Sequence, residues 1–177
     1  ATFAKPLGPF ETLEALESAI REDLKRQAES AQRKGLETQA AVALLEGWNF
    51  EVPPSLVGGQ ARRVLKERTL DLIRQGVAAA EVEQKAQVLA EQAKLDALRQ
   101  VKLFYILRRI AREEGVIATE QEIEERMQAL AKRLRLTAEE IRQDLEKRDL
   151  VEEFAWEITR GKVYDLLLKE AEIKDSD

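Results

Sequence analysis

Apolar residues recur at steps of three and four along nearly the whole chain, a spacing that puts them on one face of an α-helix. Leu13, Leu16, Ile20, Leu24, Ala28 and Ala31 begin the pattern, which continues to Leu44 and Leu45. Thr12 precedes it as an N-cap, with Glu14 and Glu17 near the positive end of the helix dipole. The spacing predicts one helix over residues 12–46, roughly 50 Å long at ~1.5 Å per residue. Gly35 lies inside it at a cost of ~1 kcal/mol relative to alanine. Ahead of it, Pro6, Gly8 and Pro9 make residues 1–10 an extended or turned leader.

The pattern breaks strongly once, at Trp48-Asn49-Phe50-Glu51-Val52-Pro53-Pro54-Ser55-Leu56-Val57, closed by Gly58-Gly59. Pro53 and Pro54 lack backbone donors, and the residue before a proline is pushed out of the α region. The connector is also apolar, whereas connectors are usually polar. Beyond it the helical spacing resumes over residues 55–75 with Leu56, Val64, Leu65, Leu72 and Ile73, and Gly76 supplies a C-cap. The other side of that helix carries Arg62, Arg63, Lys66, Arg68 and Arg74, without interleaved aromatics, and reads as a solvated face.

A third helix is predicted over residues 78–114, with Val82, Ala86, Leu89, Ala93, Ala97, Val101, Phe104 and Tyr105 on one narrow stripe. Near its end residues 103–107 are apolar on all sides, the pattern of a buried segment, with a partly exposed binding surface as the other reading. Gly115 ends it. Thr119 with Glu122, and Thr137 with Glu140, each have the form of a capping box. The first opens a helix with Ile123, Met127, Leu130, Ala131 and Leu134; the second opens a short one with Ile141 and Leu145. A last helix begins over residues 149–152 and carries Phe154, Trp156, Ile158, Val163, Leu166 and Leu167. The tail from Glu172 is expected to fray. No strand pattern occurs, so the fold class is all-α.

Composition changes this picture in two ways. Of 177 residues only 5% are aromatic while 36% are charged, which favours an extended, thinly cored helical structure over a globe. Histidine and cysteine are both absent. Without them there is no Ser-His-Asp or Cys-His pair, no thiol redox centre and none of the usual zinc sites. Glu113-Glu114 and Glu124-Glu125 are the densest carboxylates, but neighbours on a helix point apart, and they read as solvated surface. Gly58-Gly59 lacks the rest of a phosphate-loop pattern. The net charge of −5 argues against general nucleic-acid binding. No apolar run approaches the ~20 residues needed to span a bilayer. The reading is therefore a soluble protein, not an enzyme, with no cofactor, no metal and no membrane or nucleic-acid partner. Opening on Ala1 rather than methionine, it reads as part of a longer protein or a processed product.

The order of landmarks resembles the C-terminal domain of bacterial trigger factor. Phe3-Ala4-Lys5 with Leu7-Gly8, the long helix ending in Leu44-Leu45-Glu46, and residues 50–57 look like its start. Ile110-Ala111-Arg112-Glu113-Glu114 before Thr119-Glu120-Gln121-Glu122-Ile123 resembles the junction between that family's two helical arms, and residues 163–173 resemble its closing helix. The resemblance implies an elongated multi-helix domain with a long N-terminal helix, a body over residues 1–52 and 161–177, arm one over 53–112 and arm two over 113–160. The arms would form a cradle for nascent or unfolded polypeptides, bound without ATP in the cytoplasm. The family docks on the ribosome through an N-terminal domain and isomerises prolines with a separate domain, and neither is expected in this chain; a weak homodimer is left open.

On that mapping Val52, Pro53 and Pro54 form a hinge between body and first arm, with Trp48, Phe50 and Val52 anchoring the connector. Leu65, Leu72, Ile73, Leu103, Ile106, Met127, Leu130 and Leu134 are the expected client contacts, because the apolar stripes are too numerous for so thin a core. Two other classes fit the residues: the helical domain of a periplasmic parvulin-type chaperone, and a structural scaffold or dimerisation module.

Overall fold

The computed structural model describes residues 12–171. The leader over residues 1–10 and the tail from Glu172 lie outside them. Among the described residues the chain forms seven α-helices and no strand. It divides into two compact units, residues 1–40 and 41–177. The described part of the first is the N-terminal stretch of α1 (Leu13–Gly47), in which no residue is buried. Its predicted stripe exists but stays exposed at Leu13, Ile20 and Leu24. Thr12 caps the helix as expected, its Oγ1 accepting from the Ala15 amide at 3.1 Å.

The second unit starts with the end of α1 and the connector. Pro53 stands at the N-cap of α2 (Pro54–Arg74) with φ −53° and ψ 129°, and Pro54 occupies the first helical turn. There its missing N–H costs nothing, because the first amides of a helix have no intrahelical partner. The helix therefore starts before Gly58-Gly59, which are helical rather than the end of the break. At its other end Gly76 adopts φ 86°. The Gly76 amide donates to Ile73 O and the Val77 amide to Leu72 O, both at 3.0 Å, which closes the last carbonyls in a Schellman turn.

The predicted third helix is two. α3 (Ala79–Gln84) and α4 (Ala86–Glu113) meet at Lys85, where φ −93° and ψ 2° depart from helical values. No proline or glycine marks that point in the sequence. The break follows from packing, since α3 touches both α2 and α4 and buries Val82. α2 and α4 run antiparallel: Gln60 Nε2 donates to Gln100 Oε1 at 2.7 Å, and Arg68 reaches Asp96 and Gln92. Their buried residues are small, Ala61 and Val64 on α2 and Ala93 and Ala97 on α4. Small side chains let helix backbones approach closely, so this layer is thin.

The C-terminal half of α4 is different, with Ile106, Leu107 and Ala111 enclosed. It packs against α7 (Val151–Glu170), whose Thr159, Val163 and Tyr164 are buried. α5 (Glu120–Leu134) and α6 (Ala138–Lys147) join α7 in a second cluster built on Ile123, Met127, Ala131 and Ile141. Both capping boxes form as the sequence predicts, Thr119 with Glu122 and Thr137 with Glu140. Arg135 and Asp149 follow α5 and α6 in the left-handed conformation, taking the place glycine holds at Gly76 and Gly115.

Candidate functional site

Two open grooves mark the second unit. The larger, about 1160 Å³, is bounded by the connector at Trp48, Asn49 and Phe50, by α4 from Tyr105 to Arg112, and by α7 at Glu152, Ala155, Trp156 and Thr159. Aromatic side chains and cations meet in and beside it. The Arg109 guanidinium lies 5.0 Å from the Trp48 ring centre, and Lys102 Nζ lies 5.7 Å from that of Phe50. Both contacts draw the connector onto α4, so Trp48 and Phe50 anchor it there and still form one wall of the groove. On the other wall Arg108 sits 5.3 Å from the Phe104 ring and 5.7 Å from Trp156, while those two rings meet edge to face at 5.3 Å. Such contact restrains a guanidinium without neutralising its charge.

The floor between α4 and α7 is fixed by hydrogen bonds from the turn that follows α4. Gly115 takes φ 65°, and the Val116 amide donates to Ala111 O at 2.8 Å. The Ala118 amide then donates to Thr159 Oγ1 at 3.0 Å, and that hydroxyl donates on to Ala155 O at 3.1 Å. Lys162 Nζ donates to Ile117 O at 2.8 Å and to the Glu122 carboxylate at 2.8–2.9 Å. The ammonium contact, then the Thr119 amide of the capping box, holds the Glu122 carboxyl at about 2, below its ordinary 4.5. One lysine thus ties the α4–α5 turn, the α5 cap and α7 together.

The smaller groove, about 530 Å³, is apolar at Val52, Pro54, Val57, Ala61, Leu65 and Ala90, with Arg62 and Lys94 among its lining residues. It brings together Leu65 and two of the three expected hinge residues, Val52 and Pro54; Pro53, between them, is exposed. The other expected client contacts are dispersed. Ile106 borders the larger groove yet is only 1% exposed, and Met127 is wholly enclosed in the α5–α6–α7 cluster at 0%. As placed, these two have no surface to offer a client. Leu72, Leu103 and Leu130 are half-buried, whereas Ile73 and Leu134 are about half exposed, at 50% and 52%.

The aromatic and arginine groove was not singled out from the sequence. Its walls come from residues some 50 positions apart on each side, and the only local signal was Arg108-Arg109 directly after an all-round apolar run. The basic face of α2 is partly committed: Arg68 pairs with Asp96 and Arg74 with Asp71. Of the paired acids, Glu113 accepts from Arg109 at 2.8 Å. Glu124 accepts from Gln128 and from Arg142, which together depress its carboxyl. Among the described residues no group of acidic side chains is arranged to hold a metal ion, and no helix is long and apolar enough to cross a membrane.

Among the described residues, helices throughout, with apolar and aromatic side chains left facing solvent, define an all-α domain with a thin core. The family model described as the C-terminus of bacterial trigger factor protein matches residues 12–169, and the chain belongs to that chaperone family. It is 30% identical over 175 residues to the trigger factor of Desulforudis audaxviator, covering 97% of this chain and 40% of that protein. A trigger factor of Thermus thermophilus is 31% identical over 146 residues, 79% of this chain and 36% of that protein. A solved structure from trigger factor of Thermotoga maritima superimposes with a TM-score of 0.62 at 25% identity, covering 92% of this chain and 97% of that one. The resemblance and the all-α fold class read from the sequence are both those found. The chain spans about two fifths of the length of the relatives it matches.

Proposed function

We propose that this chain is an ATP-independent chaperone domain that binds apolar segments of nascent or unfolded polypeptides weakly and reversibly, preventing aggregation and assisting folding. The observation that carries the reading is the imbalance between core and surface. Among the described residues Ile106, Leu107, Met127 and Val163 are the large side chains that are fully enclosed, while Val88, Leu95, Ile117, Leu134 and Ile73 stand at least half exposed. Contact with clients falls to Ile73 and Leu134 and to the accessible edges of Leu65, Leu72, Leu103 and Leu130; Ile106 and Met127 hold those surfaces in place. Covering ~200 Å² of apolar client surface contributes roughly 5 kcal/mol at ~25 cal/mol per Å². Association costs of ~4 kcal/mol or more offset most of that, so useful affinity needs several patches acting together.

In this reading residues 53–112 and 113–160 are two arms, residues 1–52 and 161–177 a body, and Val52, Pro53 and Pro54 the hinge. The whole protein would work in the cytoplasm, reaching the ribosome and isomerising prolines through parts other than this domain. The test is dilution of a chemically denatured client into buffer with and without this chain, in the absence of nucleotide, followed by light scattering. Suppression at near-stoichiometric ratios is the expected result. No suppression, together with a defined oligomer by analytical ultracentrifugation, would replace the reading with a structural dimerisation module.

A further inference from the structure

We propose that the larger groove prefers polypeptide segments in which a carboxylate stands beside an aromatic or aliphatic side chain. This deepens the chaperone reading and rests on it, since it specifies which unfolded segments this surface takes. The chain carries a net charge of −5, yet the groove is lined by Arg108, Arg109 and Arg112 against the single acid Glu152. Arg109 already has a carboxylate partner in Glu113. Arg108 and Arg112 are exposed and make no ion pair with a carboxylate among the described residues.

Arg108 is in addition restrained. Its guanidinium carbon lies 5.3 Å from the Phe104 ring centre and 5.7 Å from that of Trp156, so two aromatic side chains restrain it while its N–H groups have no carboxylate partner among the described residues. A guanidinium held in this way loses little freedom on meeting a carboxylate, so the bond is gained at small entropic cost. Trp48, Phe50 and Tyr105 in the same groove supply apolar surface for the neighbouring side chain. A lysine-bearing segment would meet like charge, and a purely apolar one would leave both guanidinium edges unpaired. A single-stranded nucleic acid shares the anionic and planar character, but its run of phosphates would be repelled by the acidic chain around the groove.

The chain's two tryptophans, Trp48 and Trp156, both line this groove, so their fluorescence reports its occupancy. The whole chain is titrated with short unstructured peptides lacking Trp and Tyr: one with two aspartates flanking a leucine, one with asparagines in their place, one with lysines. An oligouridylate is the fourth ligand. The aspartate peptide is expected to shift the emission saturably and to bind about tenfold more tightly than the asparagine peptide, an advantage that shrinks as salt is raised. The double variant R108Q/R112Q should abolish that advantage, whereas R63Q/R126Q, at exposed positions outside both grooves, should keep it; helicity by circular dichroism confirms that each is folded. Equal binding of the aspartate and asparagine peptides, tighter binding of the lysine peptide, or saturable binding of the oligouridylate alone would overturn the proposal. If the peptides fail while a denatured client is still protected, the groove preference is wrong and the chaperone reading stands. If both fail, neither survives.

Discussion

Met127 and Leu134 lie two helical turns apart on α5, on the same predicted stripe, but their surroundings assign them opposite roles. Met127 is fully enclosed among Ile123, Ala131 and Ile141, with Leu130, Leu145, Phe154 and Ile158 packed against that cluster. Replacing it with alanine removes Cγ, Sδ and Cε. At ~0.8 kcal/mol per buried methylene-sized group the lost transfer energy is about 2.4 kcal/mol. A residual cavity of ~40 Å³ at ~24 cal/mol per Å³ adds about 1 kcal/mol. Met127→Ala should therefore cost about 3 kcal/mol. Leu134, half exposed at the end of α5, falls among surface positions whose replacement changes stability by no more than ~0.5 kcal/mol. Leu134→Ser should instead weaken client protection while leaving the unfolding curve in place. Urea unfolding followed at 222 nm, paired with the aggregation assay, reads both quantities for both variants. A loss below ~1 kcal/mol for Met127→Ala, or a folded Met127→Ala chain that fails to protect clients when Leu134→Ser still does, would refute this division between core and contact.

Three further outcomes follow from local geometry. Gly161 lies inside α7 with open space where a Cβ would sit, so Gly161→Ala should stabilise the chain by about 1 kcal/mol, seen as a higher urea midpoint. Arg135 ends α5 at φ 58°, where an L side chain is strained, and Arg135→Gly should raise stability by ~0.5–1 kcal/mol in the same measurement. The Glu122 carboxyl is held at about 2 in the folded chain against an ordinary 4.5, chiefly by Lys162. Below 4.5 the unfolded chain binds the extra proton first, so its stabilisation is complete above that pH and is lost as pH falls towards 2. Glu122→Gln should flatten that acid limb in unfolding midpoints collected from pH 6 to pH 2, and an unchanged limb would remove Lys162 from the account.

What the sequence determined by itself was the helices and their ends. The α1 range, the start of α2 at the prolines, the Schellman turn at Gly76 and both threonine capping boxes depend on residues within one or two turns of each other. Such short-range bonds leave their mark in the order of residue types. Family membership was legible for a related reason, because landmarks such as residues 50–57 and 110–123 keep their order along the chain. Tertiary structure alone decided the rest. Lys85 breaks the third helix with no proline or glycine to announce it, because α3 must turn to cover both α2 and α4. Periodicity placed Met127 and Leu134 on one stripe, but only α6 and α7 determine how far along α5 that stripe is covered. The arginine and aromatic groove needs the connector, α4 and α7 side by side, and the lysine under it joins Ile117 to a helix 45 positions away. Contacts across such separations carry no periodic signal, since they arise from where the helices pack and not from the spacing within any one of them.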